Sequence, residues 1–243
     1  MLIRLDKYIS DAAQVSRQDA KKYLSKGSVA VDGKVVKKGD VKVSDENSVT
    51  LNGKLLTYRQ FVYIMLNKPK GVVSATEDKN DVTVLDLVKK DYPKRNLFPA
   101  GRLDKTSTGF VLLTDDGEFA HDILAPKKHV SKEYIVTLDA SITDEIIEKF
   151  NSGVTLADGT LLKSAVLEKT DTPCVVKVVL KQGVYHQIKR MFGVFDIGVN
   201  ELHRSHIGGV KLDDNLAGGE YRELTQEELS KISSAFCDEF TQC

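Results

Sequence analysis

The sequence predicts an α+β protein with a small N-terminal domain over residues 1–57 and a larger domain over residues 58–243. Two short helical patterns and two hairpin signals occupy the first segment. After a polar junction at 57–60, strand-like and helical patterns alternate, with spacing too irregular for a repeated βαβ unit. These observations favour a small domain of two helices and a sheet, followed by a larger mixed domain.

Composition is typical of a globular protein. Of the 243 residues, 41% are hydrophobic and 29% are charged, which supports a sizeable core and argues against a disordered chain. No apolar run approaches the roughly 18 residues that span a bilayer, and residues 1–6 lack the hydrophobic region of a signal peptide. We therefore expect a cytoplasmic protein without a membrane partner.

Residues that bind metals or cofactors are sparse. The cysteines, Cys174, Cys237 and Cys243, have no Cys-x-x-Cys spacing, which argues against a disulfide framework or a structural zinc site. His203 and His206 lack a nearby third ligand. The sequence contains neither a Walker loop nor a Gly-x-Gly-x-x-Gly segment. We expect no metal and no cofactor.

Charge is uneven along the chain, although the formal net charge is zero. Residues 1–57 hold eleven Lys or Arg against seven acidic residues, whereas residues 220–243 hold six acidic residues against two basic ones. The basic N-terminal segment therefore suits the phosphates of a nucleic acid, which the whole-chain charge conceals.

The first 57 residues read as helix, helix and small sheet. Helical spacing relates Leu5, Ile9, Ala12 and Ala13, and the second helix has a capping box, an apolar face and a closing glycine, at Ser16, Asp19, Ala20, Tyr23, Leu24 and Gly27. The dipeptides Asp32-Gly33 and Asn52-Gly53 lie between apolar runs and predict two hairpins.

Basic side chains occupy the polar face of the second predicted helix, where they either contact phosphates or form a solvated lysine face. The segment resembles the RNA-binding domain named after ribosomal protein S4, because it shares the order of elements, Ser16-Arg17 at the helix start and the run 27–33. The resemblance implies RNA binding. The residues assigned to it are Arg4, Lys7, Arg17, Lys21, Lys22 and Lys26.

Strand and helix signals alternate through the larger domain. The first strand is expected at 61–66, a run of residues that favour a buried strand. Further strands are predicted at 110–113, 134–138, 154–156, 175–180 and 197–202. Helices are predicted at 118–124, 143–151, 185–195 and 225–236.

The tetrapeptide Arg-Leu-Asp-Lys occurs at 4–7 and again at 102–105. Asp6 lies in a predicted amphipathic helix, where we expect a surface or first-turn charge. Asp104 lies in a glycine-bounded loop that leads into a strand, and loops held by rigid elements often carry catalytic groups. Without further information, an Asx turn or loop cap is the better interpretation of Asp104.

Four separated segments resemble the RsuA family of pseudouridine synthases, which isomerise selected uridines in ribosomal RNA. The segments are Leu-Asn-Lys-Pro-Lys-Gly-Val-Val at 66–73, Gly-Arg-Leu-Asp at 101–104 with the run 108–117, Lys-Glu-Tyr at 132–134, and 183–192. They occur in order after the S4-like segment, so the resemblance covers nearly the whole chain. It implies a mixed, mainly antiparallel sheet in the catalytic domain.

The resemblance also implies roles for individual residues. Asp104 matches the catalytic aspartate of the family, Tyr134 its active-site tyrosine, and Lys189 the basic residue that pairs with the aspartate. Lys189 stands where many relatives have Arg, which keeps the charge but removes bidentate pairing. The substrate-binding candidates are Arg102, matching the arginine of the base-extruding loop, with Leu103, Gln187 and Arg190.

The implied reaction is a redox-neutral isomerisation that needs no metal or cofactor. It breaks a C–N glycosidic bond and forms a C–C bond, and an ionised Asp104 attacks C1′ or stabilises charge there. Lys189 holds that charge. Tyr134 stacks on the flipped uracil and takes or relays the proton that leaves C5.

The sequence leaves three alternatives for the target and the activity. Segments 185–192 and 202–209 look most like the family member that acts on uridine 516 of 16S rRNA, so we expect a monomeric enzyme acting on 16S rRNA within a small-subunit assembly particle. Relatives that act on 23S rRNA share the same core. A non-catalytic RNA-binding assembly factor is the third alternative, and the intact Asp104, Tyr134 and Lys189 argue against it.

Overall fold

The computed structural model describes residues 2–44, 46–125, 130–156 and 158–234, without the side chains of 233 and 234. The chain divides into two compact units, one of residues 1–62 and 88–96, the other of 63–87 and 97–243. Residues 58–62, placed in the second domain by the sequence analysis, thus join the first unit, where Tyr58 stacks on Tyr8 with ring centroids 5.1 Å apart. In the described ranges, no helix is long and apolar enough to cross a membrane.

The first unit combines two helices with short strands. Its elements are β1 (Ile3–Arg4), α1 (Leu5–Ala12), α2 (Arg17–Ser25), β2 (Val29–Val31), β3 (Lys34–Val35), β4 (Lys42–Val43), β5 (Val49–Leu51) and β6 (Lys54–Leu55). β1 pairs with β4, and the others form a sheet in the order β3-β2-β5-β6. The predicted helices and hairpins are confirmed, whereas the two-residue strands β1 and β4 are too short to give a periodic signal.

Caps and turns of this unit form as their residue types predict. The Ser16 hydroxyl accepts a hydrogen bond from the Asp19 amide at 3.1 Å and caps α2. Gly27, with φ +75°, closes the helix. Asp32-Gly33 and Asn52-Gly53 all have positive φ, as tight two-residue hairpin turns require.

Asp6 departs from one part of its expectation. It lies in the first turn of α1, as predicted, but it is buried rather than at the surface. The Arg4 guanidinium donates two hydrogen bonds to its carboxylate, at 3.1 and 2.8 Å, and these lower the pKa of Asp6. The Asp6 amide also donates to the Gly39 carbonyl. Arg4 and Asp6 therefore form a structural pair.

The second unit is built on a nine-stranded sheet. Its elements are β7 (Tyr63–Lys68), α3 (Val84–Val88, whose last residue falls in the first unit), β8 (Phe98–Pro99), β9 (Thr108–Thr114), α4 (Gly117–Leu124), β10 (Lys132–Leu138), α5 (Asp144–Ser152), β11 (Val166–Lys169), β12 (Val175–Leu180), α6 (Gln187–Gly193), β13 (Val199–Ile207), β14 (Val210–Lys211), β15 (Tyr221–Glu223) and α7 (Gln226–Ser234). The strand order is β11-β12-β10-β13-β9-β7-β15, with β14 beside β13 and β8 beside β9. Among these described strands only β9 and β13 pair in parallel, so the predicted α+β fold with a mixed, mainly antiparallel sheet is confirmed.

Two predicted elements of this unit differ from the structure. The strand predicted at 154–156 is wrong, because Thr155 makes only an isolated bridge with Leu161. The helix predicted from residue 185 begins at Gln187, because His186 adopts a left-handed backbone with φ +50°. In both places the sequence has the apolar pattern of the predicted element, but the local backbone conformation does not form it.

Other elements lie beyond what periodicity can detect. The strands β8, β14 and β15 have two or three residues, and β11 carries a polar Glu-Lys end. The helix predicted at 225–236 is observed to Ser234, and its last residues, like Cys237 and Cys243, lie outside the described residues. Cys174 is a free thiol.

A row of cross-strand partners runs through the middle of the sheet. Lys68 on β7 pairs with Gly109 on β9, Gly109 with Arg204 on β13, and Arg204 with Tyr134 on β10. Directly paired residues point to the same face, so these four share one face of the sheet. Gly109 has φ +103°, and a Cβ there would lie 2.8 Å from the backbone nitrogen of Arg204. Only glycine therefore fits at position 109, where β9 pairs with β13.

We predict that Gly109→Ala lowers the free energy of unfolding by about 2–4 kcal/mol, because a methyl group adds backbone strain and overlap at the β9–β13 pairing. Denaturant unfolding measures the change. Gly117→Ala at the start of α4 is the control: its Cβ would meet no atom within 4 Å, and the expected change is below about 1 kcal/mol. Equal losses in the two variants contradict the prediction.

Candidate active site

Buried side chains fix the backbone of the loop at 101–107, which carries Asp104. Lys68 is fully buried, and its ammonium donates to the carbonyls of Ser107 and Pro69 at 2.6 and 3.1 Å. The Ser74 hydroxyl donates to the Leu103 carbonyl at 3.0 Å and accepts from the Leu103 amide at 3.1 Å. The loop is therefore held on both sides of Asp104.

Arg204, in the middle of β13, holds the start of the same loop. Its side chain is buried, and its Nε donates to the Phe110 carbonyl at 2.6 Å. Its Nη1 reaches the Arg102 carbonyl at 3.5 Å, and its Nη2 is buried without a hydrogen-bond partner in the described part of the chain. One guanidinium thus ties β9 and the loop to β13.

The buried Lys68 interacts electrostatically with both Asp104 and Arg204. Burial lowers the pKa of Lys68 to about 8; the negative charge of Asp104 opposes this shift and the positive charge of Arg204 adds to it. Burial likewise lowers the pKa of Lys132 to about 8, again with a contribution from Arg204. The Asp104 carboxylate is therefore the counter-charge that favours the protonated form of Lys68.

The Asp104 carboxylate lies between two basic side chains on its outer side and is 29% exposed. The Lys189 ammonium is 3.6 Å from Oδ2, and it also donates to the Thr106 hydroxyl at 3.1 Å. The His186 Nε2 is 3.3 Å from Oδ1, and it adds a positive charge only when protonated. The structure therefore brings Asp104 and Lys189 together, as the resemblance implies.

His186 is the residue that the sequence analysis did not select. It precedes α6 in a left-handed backbone conformation, and its ring stacks on that of Tyr185. The available signal was its position three residues before Lys189, which places the two side chains on neighbouring parts of one helical turn. No sequence rule predicts the φ of +50° that aims the ring at Asp104.

Tyr134 lies half-buried on β10, on the face of the sheet that α6 covers. It pairs with Arg204 on one side and Val178 on the other, and it packs against the apolar cluster that contains Ile188, Met191 and Phe192 of α6. Within the described residues, no hydrogen bond joins its hydroxyl to Asp104. Tyr134 and Lys189 are thus connected through the packing of α6 on the sheet.

The four substrate-binding candidates have different surroundings. Arg102 is exposed, whereas Leu103 is buried beside Ser74. Gln187 is buried and accepts a hydrogen bond from the Val184 amide at 3.2 Å, so it supports the turn before α6. Arg190 donates to Asp158 at 2.6 Å. Arg102 is the candidate with its side chain in solvent, and substrate binding by all four stays a prediction.

The six basic residues assigned to RNA binding fall into two groups. Arg4 and Lys22 form ion pairs with Asp6 and Asp19. Lys7, Arg17, Lys21 and Lys26 are exposed, and none of them forms an ion pair with another described residue. The charges of this second group are therefore available to bind phosphates.

The arrangement suits chemistry at an electrophilic carbon. A partly exposed carboxylate next to a lysine can act as a nucleophile or stabilise positive charge. Across the residues that the structure describes, no group of three or more His, Cys, Asp or Glu side chains is placed to hold a metal ion.

Family models match both parts of the chain. Residues 62–193 match the RNA pseudouridylate synthase family, and residues 3–49 match the S4 domain. The first match covers more than half of the chain and includes Asp104, Tyr134 and Lys189.

Several proteins are similar over nearly the full length. The ribosomal small subunit pseudouridine synthase A of Escherichia coli is 42% identical over 232 residues, which are 95% of this chain and 100% of the relative. The RNA pseudouridine synthase YtzG of Bacillus subtilis is 44% identical over 237 residues, which are 95% and 98% of the two chains. A crystal structure of a pseudouridylate synthase is 38% identical, with a TM-score of 0.67, and the match covers 95% and 99%.

We predict that the burial of Lys68 makes stability depend on pH between 8 and 10. Its folded pKa of about 8 is below the unfolded value of about 10.4, so the unfolded chain binds more protons in this window and the group favours folding as pH rises. The free energy of unfolding of the wild type, relative to Lys68→Met, should increase by about 1–3 kcal/mol from pH 8 to 10.

Denaturant unfolding at several pH values measures this difference. Lys79→Met removes an exposed lysine and is the matched control, for which no comparable trend is expected. A pH-independent difference between the wild type and Lys68→Met contradicts the predicted titration.

Proposed function

Because the chain belongs to the RNA pseudouridylate synthase family, we propose that it isomerises one uridine of ribosomal RNA to pseudouridine, and that this is uridine 516 of 16S rRNA. The observation that carries the proposal is the Asp104 carboxylate, partly exposed on a fixed loop and flanked by Lys189 and His186. The 42% identity to a ribosomal small subunit pseudouridine synthase supports the choice of the small-subunit RNA.

In this proposal Asp104 reacts in its ionised form. Its carboxylate acts on C1′ of the target ribose as the C1′–N1 bond breaks, and the detached uracil turns so that C5 faces C1′. The C1′–C5 bond then forms, C5 loses its proton, and N1 gains one. Atoms and charge balance without a cofactor, so the protein needs only to orient the base and to handle these protons.

Lys189 and Tyr134 support this reaction in different ways. Lys189, 3.6 Å from the carboxylate, holds the charged Asp104 in place through its own positive charge. Tyr134, on the face of the sheet beneath α6, stacks on the flipped uracil and takes or relays the C5 proton. Both roles require the target base to reach the space over β10 and β13.

The target nucleotide has to leave its stack to reach Asp104. In this proposal Arg102, which is exposed two residues before Asp104, fills the position that the base leaves. The exposed basic residues of the S4 unit hold the surrounding backbone through phosphate contacts, which carry no sequence information. Recognition of one site then rests on the shape of the RNA, as expected for a segment of 16S rRNA within a small-subunit assembly particle.

We predict that Asp104→Asn lowers the rate of pseudouridine formation by about a thousandfold or more, because the amide cannot act as the carboxylate does. Pseudouridine mapping of 16S and 23S rRNA, in cells that lack the protein and are complemented with each variant, measures the loss. Asp214→Asn changes an exposed aspartate of the same unit and should restore the modification fully.

The same mapping identifies the target. Loss of pseudouridine at uridine 516 alone, restored by the wild type and not by Asp104→Asn, is the expected result. If a site in 23S rRNA is lost instead, the substrate is the large-subunit RNA. If no site in either RNA changes, the proposed reaction on ribosomal RNA is contradicted and the assembly-factor alternative gains support.

We also predict that combined replacement of Lys7, Arg17, Lys21 and Lys26 by Ala weakens RNA binding and makes it less sensitive to salt. Each lost phosphate contact should reduce the slope of log K against log salt by about one. Titrations of rRNA at several salt concentrations test this. Lys169→Ala with Lys211→Ala is the control, because those lysines are already paired with Asp144 and Asp214. Equal slopes in all three proteins contradict the assignment.

A further inference from the structure

Tyr185 is an exposed aromatic residue at the edge of the candidate active site. Its side chain is 74% exposed, more than that of any other large apolar residue in the described ranges. Its ring stacks on His186, with centroids 3.9 Å apart and planes inclined by 14°. One face of the ring is therefore covered by the imidazole, and the other is open to solvent.

The stack ends at the reactive group. His186 Nε2 lies 3.3 Å from Asp104 Oδ1, so Tyr185, His186 and the carboxylate follow one another in space. The left-handed backbone of His186 and the hydrogen bond from the Val184 amide to Gln187 hold the turn that presents both rings. A non-glycine residue in this conformation is uncommon and costs free energy, so the turn is maintained against strain.

We propose that the open face of Tyr185 stacks on an unpaired nucleobase next to the target uridine in the RNA. The inference rests on the proposed function, which puts the target nucleotide at Asp104. When that nucleotide is flipped, its neighbour loses a stacking partner, and an aromatic ring close to the site replaces it. Tyr185 is thus a substrate-binding residue that acts on the flank of the target.

Charge and shape favour a nucleobase over an apolar protein side chain as the occupant. The stack presents a planar face, and stacking on aromatic rings is the common way in which unpaired bases are bound. Lys189 and His186 lie near the two oxygens of the same Asp104 carboxylate, and Arg102 is exposed on the Asp104 loop, so phosphates of the flanking nucleotide meet positive charge. Stacking tolerates every base, which predicts affinity for the flank rather than selectivity among bases.

The test compares Tyr185→Ala, Tyr185→Leu and Tyr185→Phe in steady-state pseudouridine formation. The probe is the small-subunit assembly particle purified from cells that lack the protein. We expect Ala and Leu to raise KM by roughly tenfold with kcat within about twofold, whereas Phe stays near the wild type because it keeps the ring. Val194→Ala, an exposed apolar residue just after α6, is the matched control and should leave both constants unchanged.

Three results overturn the inference. In the first, Tyr185→Ala has the same KM and kcat as the wild type. In the second, Tyr185→Leu performs as well as Tyr185→Phe, which indicates an apolar contact. In the third, kcat falls at constant KM, which indicates an effect through His186. Fluorescence anisotropy of each labelled variant with the same particles gives Kd without turnover. If the wild type shows no turnover, the proposed function is contradicted. If, in the same experiment, only the Ala and Leu variants bind more weakly, the stacking site is still supported.

Discussion

Buried cations need oxygen partners, and Lys68 and Arg204 find them in the backbone carbonyls of the segment around Asp104. Lys68 donates to Ser107 and Pro69, and Arg204 to Phe110 and Arg102. A buried charge without such partners is strongly destabilising, so the loop conformation and the burial of the two cations depend on each other. The position of the carboxylate follows from this dependence.

The same arrangement gives the site its electrostatic character. The negative charge of Asp104 interacts with the buried Lys68, and Lys189 and His186 lie 3.6 and 3.3 Å from its carboxylate oxygens. The glycine at 109 permits β9 and β13 to approach closely enough for the row of Lys68, Arg204 and Tyr134 to form. Lys68 and Arg204, which hold the loop, therefore lie on the same face of the sheet as Tyr134, which is assigned to the base.

Local features of the chain were predictable because their causes are local. The capping box at Ser16, the Asp-Gly and Asn-Gly turns and the strand at 175–180 follow from residue types within a few positions. The roles of Arg204 and Lys68 were not predictable, since they depend on the parallel pairing of β9 with β13 and on carbonyls far away in sequence. His186 was missed because its left-handed backbone, which no residue-type rule predicts, sets its contact with Asp104.

Single-turnover kinetics of Lys189→Met and Lys189→Arg test most directly whether the charge of Lys189 supports the chemistry of Asp104. Met removes the charge 3.6 Å from the carboxylate and should slow the chemical step by about 100-fold with RNA affinity little changed. Arg keeps the charge and should recover most of the rate. A Met variant that reacts as fast as the wild type would contradict the account.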